Sequence, residues 1–336
     1  MLNKNGFWKN YFIWKRIKIK NQSNIIPCLH NSNAKNLNGN NSKRVSVLSP
    51  TLDRYLYLEN ELEQLEKQTV KNLEVLITDQ TDNNKRRRID ANKYPGIKVQ
   101  YFPQDEKGQC SAWNKLLQEA KGEYVLFLGD DADNMLPDFI EKLLDTAQKF
   151  NAEIVASNVV ELKMPRKTVN HYYYMSDTFP ITLAKREVIM DAGGMDMFFN
   201  KNIRADYDLA LRCHEKGALI IFDSSALIDH HHAPVGGLRE HNARVLTHKE
   251  SKQSLSKFVE PTSSEIFLVK RHFAEKQYKS YIRIKYFNQI FVKGSVLKKL
   301  IRGLLFLLKT PIFYMRYKQN LTLADTELRS RNAFRY

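Results

Sequence analysis

The chain has 336 residues, of which 43% are hydrophobic, and its 53 Lys and Arg residues against 37 Asp and Glu residues give a formal net charge of +16. This apolar content is sufficient to bury a core, so the composition excludes a wholly disordered chain. The length fits one large α/β domain or two smaller domains.

The positive charge is concentrated at the two ends of the chain. Residues 1–44 contain 9 basic and no acidic residues, and residues 264–336 contain 16 basic and 4 acidic residues. The middle, residues 45–263, contains 28 basic and 33 acidic residues and is mildly acidic. A nucleic-acid-binding protein is expected to present a basic patch on its folded body. We therefore predict no nucleic-acid partner.

The predicted elements alternate between strands and helices from Arg44 onward. Leucines at helical spacing indicate a helix after the first strand, and the short β-rich apolar runs indicate buried strands. This alternation predicts an α/β fold with a mostly parallel sheet that helices cover on both faces. Strands are predicted at 45–49, 73–78, 97–102, 123–128 and 152–160, and helices at 55–69, 111–120 and 137–150.

Three segments follow from the composition. Residues 1–43 are predicted to be a basic aromatic arm with an Asn-rich linker, 44–250 the main α/β domain, and 251–336 a mostly helical basic region. Three cysteines without paired spacing indicate a reducing compartment. We expect no signal peptide and no spanning helix, hence a cytoplasmic protein.

Polar clusters follow three of the predicted strands, at 50–54, at 79–82 and at 130–133. In parallel sheets, ligands bind at the carboxyl ends of the strands. Asp130, Asp131 and Asp133 lie so close together that their charges repel, and a divalent cation would relieve that repulsion. A solvated acidic turn that caps the next helix is the alternative.

Two later motifs carry groups of the same chemistry. Asp206 precedes a helix predicted from about Asp208, where it is either a general base or a helix cap. Three histidines, 230–232, follow an apolar segment. Because side chains alternate along a strand, His230 with His232, or His231 alone, could meet one metal ion. A solvated loop end is the alternative.

An ordered set of motifs resembles the family 2 glycosyltransferases of the GT-A fold. The resemblance covers roughly residues 44–235, and the ordered set is more specific than any single motif. Its members are residues 45–54, 73–79, 108–114 and 122–128, the sequence Asp131-Ala132-Asp133 with Pro137, and residues 193–196 and 206–212.

This resemblance implies a metal-dependent, inverting hexosyltransferase-type enzyme with a nucleotide-sugar donor and a saccharide or glycolipid acceptor, as in polysaccharide biosynthesis. It implies Asp206 as general base and Mg²⁺ or Mn²⁺ as cofactor. The residues assigned to the donor are Pro50, Thr51, Asp53, Asp79 and Asp130. The residues assigned to the metal are Asp131, Asp133 and His231, with His230 or His232 as alternatives to His231.

The basic ends mix Lys and Arg with aromatic residues and leucines. Such surfaces suit an anionic membrane interface, so a peripheral location on the inner face of a membrane is one expectation. A helical C-terminal region that packs on the main domain is the other. Two further function classes stay open from the sequence: a nucleotidyltransferase on a similar sheet, and a non-catalytic protein that binds membrane or polyanions.

Overall fold

The computed structural model describes residues 43–161, 171–176, 179–231, 255–290 and 295–333. These residues fall into two compact units. The larger unit contains the described residues of 43–201 and 205–231, and the smaller one contains 202–204, 255–290 and 295–333. The predicted arm and linker, apart from Lys43, and the predicted boundary after residue 250 lie outside the described residues.

The larger unit is built on one sheet, which contains nine strands among the described residues. The strand order is β3-β2-β1-β4-β8-β6-β9-β5, and β7 also pairs with β9. The strands are β1 Val45–Thr51, β2 Leu73–Asp79, β3 Lys98–Pro103, β4 Tyr124–Phe127, β5 Ala132–Asp133, β6 Ile154–Glu161, β7 Tyr173–Met175, β8 Thr182–Lys185 and β9 Ile220–His230.

The half of the sheet formed by β3, β2, β1 and β4 is parallel throughout. The other half is mixed, because β8 is antiparallel to both β4 and β6 while β6 and β9 are parallel. The sequence predicted the five strands at β1–β4 and β6, and described the region of β9 only as an apolar segment. It did not predict β5, β7 or β8, which are only two to four residues long. Such short strands give too few alternating positions to be recognised.

The helices of the larger unit flank this sheet. The predicted helices agree with the observed ones to within three residues at each end. Gly108 is the N-cap of the helix Gln109–Glu119, and the Gln80 side chain accepts from its amide at 3.1 Å and donates to its carbonyl at 3.0 Å. These helices are α1 Tyr55–Glu66, α2 Gln109–Glu119, α3 Phe139–Phe150, α4 Arg186–Asp191 and α5 Ala205–Glu215.

Burial explains why the parallel strands read as continuous apolar runs. All seven residues of β2 are buried, since helices cover both faces of this part of the sheet. Leu58, Leu62 and Leu65 of α1 are fully buried in the same core cluster as Val75 of β2. Helical spacing therefore identified the core-facing side of α1 from sequence alone.

The Gly193-Gly194 turn is fastened to α5 and to α2. Arg212 of α5 donates to the Asp208 carboxylate at 2.7 Å and to the Gly194 carbonyl at 2.7 Å. Gly194 has φ +64°, and an added Cβ would lie 2.7 Å from Asn114 Oδ1. Asn114 of α2 also accepts from the Met195 amide at 2.8 Å. Two of the sequence motifs, 193–196 and 206–212, thus meet in one junction.

The smaller unit contains three described helices, α6 Ser263–His272, α7 Glu275–Ile290 and α8 Val296–Ala333. Thr262 and Glu265 form a capping box at the start of α6. The buried Glu265 carboxylate also contacts Lys285 of α7. This confirms a helical C-terminal region. Within the described residues, no helix is both long and apolar enough to cross a bilayer.

We predict that Asp208→Ala lowers the free energy of unfolding of the larger unit by about 3–5 kcal/mol, because it leaves the buried Arg212 guanidinium without its carboxylate. Urea denaturation measures this loss. Glu119→Ala is the control, since it breaks the exposed Lys115–Glu119 pair and should cost less than about 1 kcal/mol. Equal losses in the two variants would contradict the role assigned to Asp208.

Candidate active site

Three strand ends meet at one edge of the sheet. Thr51, the last residue of β1, lies opposite Asp79, the last residue of β2. Leu48 of β1 lies opposite Phe127, after which the chain runs directly into residues 128–133. Parallel pairing thus brings the predicted polar clusters to the same edge, as the sequence indicated.

A buried arginine lies between two buried aspartates at this edge. Arg54 Nη1 donates to Asp130 at 2.9 Å and to Asp131 at 3.2 Å, and the Thr51 hydroxyl donates to Asp130 at 2.7 Å. Asp53 has φ +57°, and its amide donates to the Thr81 hydroxyl at 2.9 Å. This turn connects the ends of β1 and β2 and directs Arg54 toward the aspartates.

The protonation of this edge differs from that of exposed carboxylates. Burial, together with the charge of Asp131, raises the pKa of Asp130 to about 6 against the opposing effect of Arg54 and Thr51. Burial also raises the pKa of Glu61 well above its usual range, and Asp130 and Asp131 add to that effect. Glu61 lies in α1, where the Ser49 hydroxyl donates to it at 3.2 Å. The raised pKa favours the neutral form of Glu61, which reduces the negative charge at this edge.

The Asp131-Ala132-Asp133 segment lies beside two of the histidines. Its residues 132–133 form β5, which pairs antiparallel with the end of β9, with Ala132 opposite His230. His230 Nε2 is 3.2 Å from the Asp131 carboxylate, and His231 Nε2 contacts that of Asp133. Strand alternation predicts that the side chains of His230 and His231 point to opposite faces of the sheet. Both side chains nevertheless contact the acidic segment, because β9 ends at His230 and the alternation stops there. His232 lies outside the described residues.

Asp133 is strongly hydrogen-bonded. Asn60 and Gln64 of α1 each donate to its Oδ1 at 2.9 Å. Burial opposes ionisation, but the contacts with His231, Asn60 and the Asn134 amide outweigh it and lower the pKa of Asp133 to about 2. Asp133 is therefore ionised at any physiological pH. The alternative prediction was a solvated acidic turn. Asp130 and Asp131 are buried, so these two residues are not solvated.

The carboxylate oxygens and imidazole nitrogens of this segment are of the types that bind Mg²⁺ and Mn²⁺ as ligands. Among the described residues, no group of three or more His, Cys, Asp or Glu side chains is arranged to bind a metal ion. Asp131 and Asp133 are carboxylates, the type of ligand that commonly binds magnesium together with substrate phosphates.

Asp79 is fully buried and bound by two tyrosines. Tyr55 donates to Asp79 at 2.6 Å, Tyr101 also donates to it, and the Thr81 amide donates at 2.8 Å. Burial and the contact with Asp79 raise the pKa of both tyrosines, so their hydroxyls stay protonated. Tyr55 in turn accepts from the Arg87 amide at 2.9 Å, which fixes the chain after β2.

Asp206 lies in the first turn of α5, which begins at Ala205 and so includes the residue that was expected to precede the helix. It is half-buried. Burial raises the pKa of Cys110, at the start of α2, to about 12, and Asp196, Asp208 and Asp206 act in the same direction.

Comparison with known proteins identifies this unit. Residues 46–207 match the family described as glycosyl transferase family 2. These residues form a family 2 glycosyltransferase domain. The match spans the three strand ends and the start of α5, which are the parts of the chain that carry the sequence resemblance.

Two curated relatives support the family. The first is the GalNAc(5)-diNAcBac-PP-undecaprenol β-1,3-glucosyltransferase of Campylobacter jejuni, 27% identical over 121 residues that cover 35% of this chain and 39% of the relative. The second is glycosyltransferase GlyG of Streptococcus pneumoniae, 27% identical over 48% of this chain and 54% of the relative. The matches therefore span between about two fifths and about half of these relatives.

Solved structures share the fold of this glycosyltransferase. The mannosyltransferase PcManGT of Pyrobaculum calidifontis, in complex with GDP-Man and Mn²⁺, aligns with a TM-score of 0.53 at 14% identity over 96% of this chain and 95% of that one. Staphylococcus aureus TarS 1–349, in complex with UDP-GlcNAc, aligns with a TM-score of 0.53 at 13% identity over 85% and 92%. The GT-A fold inferred from the sequence is confirmed.

Sequence reasoning missed four residues of the glycosyltransferase site: Arg54, Glu61, Gln64 and Tyr101. Arg54 directly follows the predicted donor loop, so its position was a usable signal. Glu61 and Gln64 appeared only as part of a regular helix, and Tyr101 as part of a strand. Nothing local distinguishes them, because their partners are between 12 and 69 residues away along the chain.

We predict that Arg54→Met lowers the free energy of unfolding by about 3–5 kcal/mol, because Asp130 and Asp131 lose their buried cation. Urea denaturation at neutral pH measures it. Adding Asp130→Asn should restore part of the loss, since it removes one uncompensated charge. Lys142→Met, which breaks a half-exposed pair with Asp138, is the control and should cost less than about 1 kcal/mol. A double variant less stable than Arg54→Met would contradict the electrostatic explanation.

Proposed function

We propose that this domain transfers a sugar from a nucleotide-sugar donor to a hydroxyl of a saccharide or lipid-linked acceptor, with inversion at the anomeric carbon and with a divalent cation. The observation that carries the proposal is the position of Asp131 and Asp133 at the same sheet edge as the ends of β1 and β2. This edge is where α/β sheets bind nucleotides.

In this proposal, the nucleoside is bound by Pro50 and Thr51 at the end of β1, by Asp53 in the loop after it and by Asp79 at the end of β2. Support comes from the contacts that order these residues, including the Asp53–Thr81 hydrogen bond and the tyrosines on Asp79. Asp130 contributes through Arg54 and Thr51, which it positions at the edge of the site. Donor binding would then require little rearrangement of this loop.

Asp131 and Asp133 would bind Mg²⁺ or Mn²⁺, with His231 as a further ligand or as the partner that orients Asp133. When bound, the cation would neutralise the negative charge of the leaving diphosphate. The low pKa of Asp133 supports this assignment, because an ionised carboxylate is the form that binds a metal. The Mn²⁺ in the complex of the structurally similar mannosyltransferase is consistent with the same choice of ion.

Asp206 would act as the general base. The acceptor oxygen forms a bond to the anomeric carbon as the bond from that carbon to the diphosphate oxygen breaks, and the acceptor proton passes to the Asp206 carboxylate. A single displacement of this kind inverts the configuration. Its position in the first turn of α5, half-buried, supports the role because such a carboxylate is accessible to a hydroxyl.

The acceptor class and the location belong to the same proposal. The name of the Campylobacter relative includes an undecaprenol diphosphate, which favours a lipid-linked acceptor and a cytoplasmic enzyme peripheral to the inner face of a membrane. A nucleotidyltransferase would instead catalyse pyrophosphate exchange, and a non-catalytic protein would not bind nucleoside diphosphate with a metal dependence. Those two measurements separate the three functions.

We predict that Asp206→Asn reduces sugar transfer by at least about 100-fold, because positioned general bases contribute roughly 10²–10⁴-fold. Nucleoside diphosphate binding, measured by calorimetry, should stay within about twofold of wild type, since Asp206 acts on the acceptor side. Asp138→Asn, at the start of α3, is the matched control and should retain activity. An Asp206→Asn enzyme with most of its activity would refute the base assignment.

We also predict that nucleoside diphosphate binding depends on Mn²⁺ or Mg²⁺ and that Asp131→Asn and Asp133→Asn remove this dependence. Calorimetric titration with UDP and GDP, with and without EDTA, measures it. His231→Gln should weaken metal-dependent binding less than either aspartate variant, because it removes one ligand and leaves both carboxylates. Binding of equal strength in EDTA would contradict the metal role.

A further inference from the structure

The helix α8 has an unusual distribution of polar and apolar side chains. A helix on the surface of a soluble unit normally turns its apolar side inward and its charges outward. In α8, the side chain of Arg302 is fully buried, while ten large apolar residues are more than half exposed, and six of them lie on one side of the helix. We call these six residues the leucine face: Leu297, Leu300, Leu304, Leu307, Leu308 and Met315.

Polar contacts fix the rotation of α8 about its axis. Arg302 Nη2 donates to the Lys257 carbonyl at 2.9 Å, and its guanidinium lies 4.5 Å from the centre of the Phe258 ring. Asn320 donates to the Pro261 carbonyl at 2.9 Å, almost five turns further along. Phe313, between them, is buried on the same side. The outward orientation of the leucine face therefore follows from contacts at two points of the helix, which are 18 residues apart.

The leucine face is a continuous stripe. At 3.6 residues per turn, its six members lie within a sector of about 100°, on the side of the helix opposite Arg302. From Leu297 to Met315 it is about 27 Å long at 1.5 Å per residue. No helix among the described residues is suited to cross a bilayer, so a stripe of this length would lie along a surface.

The charges of α8 indicate which surface it fits. Residues 296–319, which contain the leucine face, carry no acidic residue and six basic ones, of which five remain outside the interior because Arg302 is buried. The acidic residues of the helix, Asp325 and Glu327, both follow this segment. Exposed leucines together with exclusively positive charge match an anionic lipid interface, where the acyl boundary receives the apolar side chains and the headgroups attract the cations.

We propose that the leucine face of α8 is a membrane-docking surface that lies in the interface of an anionic lipid bilayer, parallel to its plane. The inference rests on the proposed function in one point only, namely that membrane docking would give access to a lipid-linked acceptor. Its physical basis is the exposure, rotation and charge of α8, which do not depend on the chemistry of the glycosyltransferase domain.

The test is co-sedimentation of the full chain with vesicles of phosphatidylcholine mixed with phosphatidylglycerol and with vesicles of phosphatidylcholine alone. We expect the wild-type protein to bind the anionic vesicles at least about tenfold more strongly. Leu304→Glu combined with Leu308→Glu should reduce that binding at least about tenfold, whereas Leu304→Phe with Leu308→Phe should preserve it.

Leu323→Glu is the matched control. Leu323 is 58% exposed on the same helix but lies beyond the acid-free segment, so its binding should stay within about twofold of wild type. Circular dichroism and thermal melting check that all variants are folded. Nucleoside diphosphate binding should be unchanged in all of them, so a failure of membrane docking is distinguishable from a failure of the proposed function.

Three results would overturn the proposal. The first is no binding of the wild-type protein to anionic vesicles, and the second is unchanged binding of the variant with glutamate at positions 304 and 308. The third is a wild-type protein that does not bind vesicles and is a dimer by light scattering, while the variant with the two glutamates is a monomer. A second copy of the chain would then cover the leucine face.

Discussion

The buried contact of Arg54 with Asp130 and Asp131 is the constraint on which the glycosyltransferase site depends. Taking charges out of water is costly, and the two aspartates could not both be ionised here without a nearby cation. Arg54 supplies that cation from the first residues after β1, and Thr51 adds a hydrogen bond from the end of the same strand. The loop after β1 is thereby coupled directly to the segment after β4.

Both proposed metal ligands are already in contact with protein groups. Asp131 is paired with Arg54 and His230. Asp133 accepts from two side-chain amides and contacts His231. Their charge is thus already compensated by protein groups. A cation that binds with a diphosphate would compete with those partners, so we expect the donor and the metal to bind together and not independently.

Charge is also distributed according to the two compact units. The glycosyltransferase domain is mildly acidic and collects its carboxylates at one sheet edge, whereas the helical unit is basic and exposes leucines on α8. The net charge of +16 is therefore not a property of the candidate active site. It belongs to the two ends of the chain, where residues 1–44 carry 9 basic and no acidic residues and residues 264–336 carry 16 basic and 4 acidic residues.

The sequence by itself determined the family, the parallel half of the sheet and the clusters at its edge, because short buried strands and leucines at helical spacing are local signals. It also identified Asp131 and Asp133 as a pair. Only the tertiary structure decided the partners of those residues, which are Arg54 for Asp131 and the two histidines His230 and His231 for the acidic segment. It also decided that Arg302 is buried while Leu304 is exposed. These depend on pairing between segments far apart in the chain and on the rotation of a helix about its axis, which periodicity alone does not fix.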